Sequence, residues 1–337
     1  MKLYLHIGTE KTGTTTIQHF LESNRPALLK RGYFVPKSLG PGNHRWLPVL
    51  AYRDDFADEF IRGNNLTDPG RRRQAMERKR EELARELAAV PVNQVVMTSE
   101  HLHSRLRSVE EVRAVRSLLQ PWFDEIEVIV YLRDPFSMAV SLYSTALRAG
   151  AMDADVFPAD NPYMVHAADY RRLIEMWAEV FGRDKLRIRI FEREQLKGGD
   201  VLADFAAVIG LDLAGLPPPP RQNESLSTYA IQLLREFNVL LRARGLPDPA
   251  AARLRNRLVP VLETRFAELP AFRGSAETRE AYARQYGPGV DWVRRTFFPG
   301  RPVLFKPVSV RGPDQWKPRP DIVCVAAAML ELMEQAG

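Results

Sequence analysis

Short apolar runs alternate with longer amphipathic stretches over the first two thirds of the chain. An uninterrupted run of four to eight apolar or β-branched residues predicts a buried strand, whereas apolar positions repeated every three or four residues predict a helix. The apolar runs predict strands in four segments, which are residues 2–7, 93–100, 126–135 and 185–192. The third of these, "IEVIVYLRDP", has the strongest strand pattern and ends at Pro135.

Helical periodicity fills the intervals between these strands. It predicts helices over residues 14–30, from about 70 to 90, 108–120 and 136–149, and a further helix carrying Leu173, Met176, Trp177 and Val180. Alternating strands and helices of this length form parallel sheets through right-handed crossovers. We therefore predict an α/β fold, in which helices flank a central parallel β-sheet and the C-terminal region is mainly helical. The 337 residues are predicted to form one domain, with a core over 1–215 and a helical cap over 216–337.

Composition places the chain among ordinary globular proteins, since 45% of its residues are apolar and 27% are charged. Its single cysteine, Cys324, excludes an intramolecular disulfide and a CxxC metal site. No apolar run approaches the roughly 20 residues that a membrane-spanning helix needs. The N-terminal residues show no charged segment followed by an apolar segment, so a secretory signal is not expected. The predicted location is the cytoplasm.

The formal charge of +6 favours anionic ligands. The densest basic cluster spans residues 70–88, which makes it a candidate for binding nucleic acid. From Arg73 onward, however, glutamates interrupt the basic residues at helical spacing, as is typical of a solvated helix face. The sequence also has no zinc-finger spacing and no aromatic RNA-binding motif. We therefore expect no nucleic-acid partner.

The segment "HIGTEKTGTTTIQHFL", residues 6–21, is close to the phosphate-binding pattern G-x-x-x-x-G-K-[ST]. Gly8, Gly13 and Thr15 match this pattern, but Thr14 stands where the lysine is expected and the lysine is Lys11. Consecutive backbone N–H groups between a strand and a helix form a nest for an anion. A lysine at the apex of the loop would face the outer end of an anion shorter than a triphosphate.

A metal site is not predicted. Nucleotide triphosphatases hold Mg²⁺ with an aspartate that follows an apolar strand, but the strongest strand here ends in Arg133 before Asp134. The guanidinium of Arg133 offers a rigid fork for a phosphate, and the hydroxyl of Ser141 on the following helix would add a neutral donor. The alternative for Arg133 is a structural ion pair with a nearby carboxylate.

Two motifs together resemble the sulfotransferase family, whose donor is 3′-phosphoadenosine 5′-phosphosulfate (PAPS). "KTGTTT" (11–16) resembles the family's 5′-phosphosulfate loop, and "YLRDPFSMAVSLY" (131–143) resembles its 3′-phosphate motif. The resemblance covers about residues 1–200 and is closer to the bacterial and carbohydrate-directed branches. It implies a P-loop-like fold, PAPS as donor and adenosine 3′,5′-bisphosphate (PAP) as product, without a metal. The residues implied to bind the nucleotide are Lys11, Thr12, Gly13, Thr14, Thr15, Thr16, Arg133 and Ser141.

Two further segments resemble the family more loosely. "IRIFEREQL" (188–196) resembles a strand near the nucleotide, and "RQNESLS" (221–227) is similar to a bacterial segment that closes over it. The resemblance implies transfer of a sulfuryl group by in-line displacement to a hydroxyl, or an amine, of a carbohydrate or glycoconjugate. Lys11 would stabilise the leaving phosphate.

The catalytic base is expected in "MTSEHLHS" (97–104), because the carboxyl ends of parallel strands carry the ligand sites. Glu100 is the first candidate and His101 the second, while His103 is a third candidate or an acceptor contact. The carbohydrate-directed branches use a glutamate and other branches a histidine, and any of the three could instead be a surface helix cap. His44, in the long loop "GPGNHRWLP", is a further acceptor candidate.

Two other functions stay open at this point. A P-loop kinase or NTPase with an atypical loop would need a metal-binding acid that the sequence does not place. A sulfotransferase-like binding module that has lost catalysis would keep the anion loop without turnover.

Overall fold

A computed structural model describes residues 1–219, 226–307 and 320–335. Five parallel strands form its sheet in the order β2-β3-β1-β4-β5. Their bounds are β1 (Lys2–His6), β2 (Tyr33–Phe34), β3 (Gln94–Thr98), β4 (Glu125–Leu132) and β5 (Leu186–Ile190). The central strand β1 pairs with β3 on one side and β4 on the other, and His6 aligns with Thr98 and Ile129.

Helices connect and follow these strands. In chain order they are α1 (Thr14–Ser23), α2 (Arg25–Lys30), α3 (Trp46–Val49), α4 (Glu59–Gly63), α5 (Pro69–Ala88), α6 (His101–Arg105), α7 (Val109–Leu119), α8 (Pro135–Arg148), α9 (Pro162–Ala167), α10 (Tyr170–Phe181), α11 (Val201–Ile209), α12 (Thr228–Ala243), α13 (Asp248–Arg265), α14 (Ala276–Phe297) and α15 (Pro320–Gln335). The predicted fold class, a central parallel sheet flanked by helices with a mainly helical C-terminal region, is confirmed. None of the described helices is long and apolar enough to cross a membrane.

The chain packs as two compact units. The first comprises residues 1–133, 169–221 and 289–305 and contains the sheet. The second comprises residues 134–168, 222–288 and 306–337 and is helical in its described part. The predicted division into a core over 1–215 and a cap over 216–337 stays a prediction.

The sheet of the first unit is buried on both faces, as parallel sheets generally are. On β1, Leu3 and Leu5 pack into one apolar cluster together with α7 and α10. Tyr4, which points to the opposite face, packs into a second cluster with α1 and α11. This alternation follows from the two-residue period of a strand and fixes which helices cover each face.

The second unit has an apolar core of its own. Residues of α8, α12, α13 and α15 meet in one cluster, in which Tyr143 and Phe237 are completely buried. The buried amide of Asn238 donates to the carbonyls of Leu147 and Ala151, both at 2.8 Å, and so satisfies the C-terminal end of α8.

One helix prediction is wrong in its extent. The helix predicted over residues 14–30 is two helices that meet at Asn24. Pro26 lies in the first turn of α2, where its missing N–H costs nothing, whereas in the middle of one long helix it would remove a hydrogen bond. The Asn24 side chain donates to the carbonyl of Phe20 and supports the end of α1.

Candidate active site

The loop between β1 and α1 lies at the topological switch point of the sheet. The strands that follow β1 in the chain are placed on both of its sides, so the carboxyl end of β1 opens into a crevice between β3 and β4. Ligands of open α/β sheets bind in such crevices. The loop stays paired with β4 beyond the end of β1, because the Tyr131 N–H donates to the Gly8 carbonyl at 2.7 Å.

Two threonines fasten the loop from inside. The Thr9 hydroxyl donates to the Tyr131 carbonyl at 2.9 Å, and the Thr12 hydroxyl donates to the Thr9 carbonyl at 2.6 Å. Both side chains are completely buried. The Thr12 hydroxyl therefore supports the shape of the loop. The predicted contact of Thr12 with a nucleotide stays a prediction, and it would be made by the backbone of Thr12.

Lys11 lies at the turn of the loop in a left-handed backbone conformation, with φ of 62°. Such a conformation is unfavourable for a residue with a side chain, and residues held in it cluster at functional sites. Its side chain is half-buried, and its carbonyl accepts a hydrogen bond from the Arg133 Nη1 at 2.8 Å.

Gly13 caps the N-terminus of α1 in the left-handed region, with φ of 75° and ψ of 19°. A Cβ at this position would lie 2.9 Å from the Cγ1 of Val201 and 3.4 Å from the Phe191 ring, so the loop packs tightly against the chain beneath it. In the first turn of α1, all of which is described, there is no acidic residue and no side-chain cap. The helix N-terminus thus presents backbone N–H groups and a positive dipole end for an anion.

The other predicted hydroxyls begin α1 itself. Thr14 is buried, whereas Thr15 and Thr16 are half-buried. The Thr16 N–H donates to the Gly13 carbonyl at 3.0 Å, which closes the first helical turn.

Arg133 follows the end of β4 and extends over the loop. Besides its bond to the Lys11 carbonyl, its guanidinium lies 5.7 Å from the centroid of the Phe191 ring, and the Tyr170 hydroxyl donates to its backbone carbonyl. The structure therefore brings together Lys11 and Arg133, which are 122 residues apart. Ser141 lies on α8 in the second unit and is half-buried; its predicted role stays a prediction.

Glu100 lies on the other side of the loop, directly after β3. Its Cα and Cβ would each be 3.2 Å from a Cβ built on Gly8, so a side chain at this position would crowd Glu100. The Gln18 amide, from α1, donates to the Glu100 carboxylate. Burial raises the pKa of Glu100 above its usual 4.5, and the nearby charge of Glu10 adds to this, while the Gln18 hydrogen bond opposes it.

The neighbouring His101 differs from Glu100 in its electrostatics. Burial lowers the pKa of His101 to about 4, and the positive charges of Arg45 and Arg105 add to the effect. His101 is therefore neutral at neutral pH, and its Nδ1 has no hydrogen-bond partner among the described residues. His103 is only 1% exposed.

His44 is completely buried and ties its loop to the end of β3. Its ring Nδ1 accepts from the Thr98 N–H at 3.1 Å, and its backbone N–H donates to the Thr98 carbonyl at 2.9 Å. Burial lowers the pKa of His44 to about 3, with the charge of Arg25 contributing. Its structural role is clear from these bonds, and its role as an acceptor contact stays a prediction.

A charged network beside His101 was not foreseen from the sequence. Arg45 forms an ion pair with Asp58, and the Tyr52 hydroxyl donates to the same carboxylate at 2.8 Å. Arg105 lies 3.8 Å from both Asp58 and Glu10, and Glu10 immediately precedes Lys11 in the loop. These residues share no spacing that a sequence motif would reveal, because three separate segments supply them.

No group of three or more histidine, cysteine or acidic side chains among the described residues is arranged to hold a metal ion. Most of the segment "RQNESLS" (221–227), which is similar to a bacterial nucleotide-closing segment, lies outside the described residues. Its predicted role is not addressed by the structure.

No protein-family model matches the chain, and no curated protein matches it. Solved structures of three sulfotransferases are similar to parts of it. They are a sulfotransferase from Alicyclobacillus acidocaldarius (16% identity, TM-score 0.44, 74% of this chain and 93% of that chain), the sulfotransferase domain of the Synechococcus PCC 7002 olefin synthase (14%, 0.36, 98% and 94%) and the sulfotransferase domain of the curacin biosynthetic pathway (13%, 0.38, 85% and 96%). Because all three TM-scores are below 0.5, a function is inferred from the residues of the site and not from these likenesses.

Proposed function

We propose that the protein is a sulfotransferase that moves a sulfuryl group from PAPS to a hydroxyl of a carbohydrate or glycoconjugate. The observation that carries the proposal is the convergence of Lys11, Arg133 and Glu100 on one loop at the switch point of the sheet. A cation for the leaving phosphate, a phosphate-binding fork and a general base are the three groups that this proposal needs, and Glu100 supplies the base.

The anion loop supports a donor with fewer charges than a triphosphate. The first turn of α1 supplies backbone N–H groups, and Lys11 supplies one cation at the outer end of the loop. The phosphosulfate is assigned to this loop and the 3′-phosphate to Arg133, whose guanidinium suits bidentate contacts with a phosphate. The resemblance adds Ser141 to the 3′-phosphate, and this assignment stays a prediction.

Glu100 is the base in this proposal. A general base works best when its pKa lies close to the working pH, and burial moves the pKa of Glu100 upward while it moves that of His101 down to about 4. His103 is too deeply buried to meet an acceptor without rearrangement. Among the three predicted candidates, the carboxylate next to Gly8 therefore has the best combination of position and basicity.

In the proposed transfer, these residues account for the proton that is removed and for the charge that develops on the leaving phosphate. Glu100 accepts the proton of the acceptor hydroxyl as the new O–S bond forms. The bond between sulfur and the 5′-phosphate oxygen breaks, and Lys11 with the N–H groups of α1 stabilises the charge that stays on this phosphate. The products are the sulfated acceptor and adenosine 3′,5′-bisphosphate.

Isothermal titration calorimetry in EDTA tests the donor, with adenosine 3′,5′-bisphosphate and ATP as ligands and a parallel ATP–Mg²⁺ titration. The proposal expects tight binding of the bisphosphate without a metal. Binding of ATP–Mg²⁺ alone would instead favour a kinase or NTPase.

Transfer of labelled sulfate to a panel of carbohydrate acceptors tests the reaction. Lys11→Ala should abolish transfer and weaken bisphosphate binding only modestly. If the wild type binds the bisphosphate but transfers sulfate to none of the acceptors, the alternative of an inactive binding module is favoured.

A further inference from the structure

Between Arg253 and Arg265, the exposed face of α13 carries arginines and no exposed acidic residue. Arg253, Arg257 and Arg265 are all exposed, and between them the exposed positions are uncharged, namely Asn256, Pro260, Val261 and Thr264. Within the described residues, no carboxylate lies in ion-pair distance of these three arginines. The acidic residue of this part of the helix, Glu263, is half-buried and paired with Arg148.

The other basic helix, α5, has a different pattern. Its exposed side carries Glu77 and Glu81 among the arginines, and Glu77 lies 3.5 Å from Arg80. Acidic residues are therefore interspersed among the basic ones on this face, as expected of a solvated helix. On α13 the positive charge is uncompensated over about twelve residues, which at about 1.5 Å per residue spans roughly 18 Å.

We infer that this face of α13, defined by Arg253, Arg257 and Arg265, binds an anionic polysaccharide chain. A guanidinium pairs with carboxylate or sulfate groups through two parallel hydrogen bonds, and three of them in a row match a linear chain that carries such groups at intervals. The choice of a polysaccharide rests on the proposed carbohydrate acceptor; the positive face itself does not depend on that proposal.

The composition of this face disfavours two other anionic partners, single-stranded nucleic acid and a membrane. Proteins that bind single-stranded nucleic acid stack its bases on aromatic side chains, and the exposed positions from Arg253 to Arg265 carry no aromatic residue. A helix that lies on an anionic membrane needs a broad apolar face. The exposed apolar residues between these arginines are Pro260 and Val261, which do not form such a face.

The test compares two triple variants of the full chain that lose the same charge. One is Arg253→Gln, Arg257→Gln and Arg265→Gln on α13; the other is Arg71→Gln, Arg73→Gln and Arg78→Gln on the exposed side of α5. Binding of sulfated dextran, uncharged dextran, a short DNA duplex and phosphatidylserine vesicles is measured at fixed salt, with circular dichroism as the check on folding.

Sulfated dextran should bind the wild type, and the α13 variant should lose affinity on the order of tenfold, as three exposed charge contacts would give. The α5 variant should retain wild-type affinity. Equal losses in both variants, or no loss in either, would overturn the inference, and so would tighter binding of DNA or vesicles that depends on the same arginines. Titration of the α13 variant with adenosine 3′,5′-bisphosphate should match the wild type, which keeps this outcome separate from the test of the proposed donor.

Discussion

Replacing Gly13 by alanine tests how the anion loop is built. Two costs are expected. The left-handed conformation, with φ of 75° and ψ of 19°, costs a residue with a Cβ about 1–2 kcal/mol. The new methyl group would also lie 2.9 Å from the Cγ1 of Val201, and overpacking of this kind typically costs about 1–3 kcal/mol. Together they predict a loss of about 2–5 kcal/mol, a large part of the stability of a typical domain.

Gly210 provides a matched control. It ends α11 with φ of 76° and ψ of 20°, nearly the backbone conformation of Gly13, but the nearest atom to a Cβ there is the Tyr33 hydroxyl at an ordinary 3.6 Å. Gly210→Ala should therefore show the backbone cost alone, about 1–2 kcal/mol. The difference between the two variants isolates the contact with Val201.

Urea unfolding of both variants measures these costs. In the double variant Gly13→Ala/Val201→Ala, the shorter side chain at position 201 should recover part of the lost free energy of unfolding, because it removes the methyl group that the new Cβ meets. If Gly13→Ala and Gly210→Ala cost the same, the close packing of the loop on α11 plays no part, and the explanation given for this glycine is wrong.

Four further predictions concern the groups around the loop and the charged network beside His101. Glu100→Gln should lower kcat by about 10²- to 10⁴-fold while calorimetry shows unchanged bisphosphate binding; a small change in kcat would exclude Glu100 as the base. Since only the ionised carboxylate accepts a proton and burial raises its pKa above 4.5, kcat/KM should fall as the pH decreases through that raised value. Gln18→Ala removes a hydrogen bond that lowers this pKa, so the acidic limb of the pH profile should move to higher pH, whereas a merely structural Gln18 would leave it in place. Asp58→Asn removes the main carboxylate partner of the largely buried Arg45 and leaves only the longer contact with the exposed Glu59, at 3.4 Å, so it should cost up to about 3–5 kcal/mol in urea unfolding, compared with under about 1 kcal/mol for Asp55→Asn at an exposed pair.

The sequence predicted four of the five strands and the position of the loop because these depend on local patterns; the two-residue edge strand β2 was missed because it is too short to show one. Apolar runs mark β1, β3, β4 and β5, and the glycines mark the turn after β1. The proximity of Lys11 and Arg133 was implied by the resemblance of their two motifs to motifs that bind one nucleotide. The structure accounts for it by the pairing of β1 with β4, whose carboxyl ends meet at one edge of the sheet. The order of the strands, which makes β1 the central strand, is set by tertiary packing and could not be predicted from the pattern.

Residues that act through tertiary contacts were missed. Gln18 is buried on the same side of α1 as Ile17 and Leu21, and a polar residue in that position was a signal that it serves a partner. Arg45 and Asp58 gave no such signal, because their pairing depends on how a long irregular segment folds back. Pro26 was a signal that the helix breaks near Asn24. The break was missed because apolar residues continue at helical spacing on both sides of it.

The central claim is that the anion loop and Arg133 hold opposite ends of one nucleotide. Its most direct test is to titrate the wild type and Arg133→Ala with adenosine 3′,5′-bisphosphate and with adenosine 5′-monophosphate, which lacks the 3′-phosphate. The wild type should prefer the bisphosphate by roughly ten- to a hundredfold, as a charged hydrogen bond gives, and the variant should lose this preference while its affinity for the monophosphate stays similar. A variant that still prefers the bisphosphate by the wild-type factor would contradict the claim.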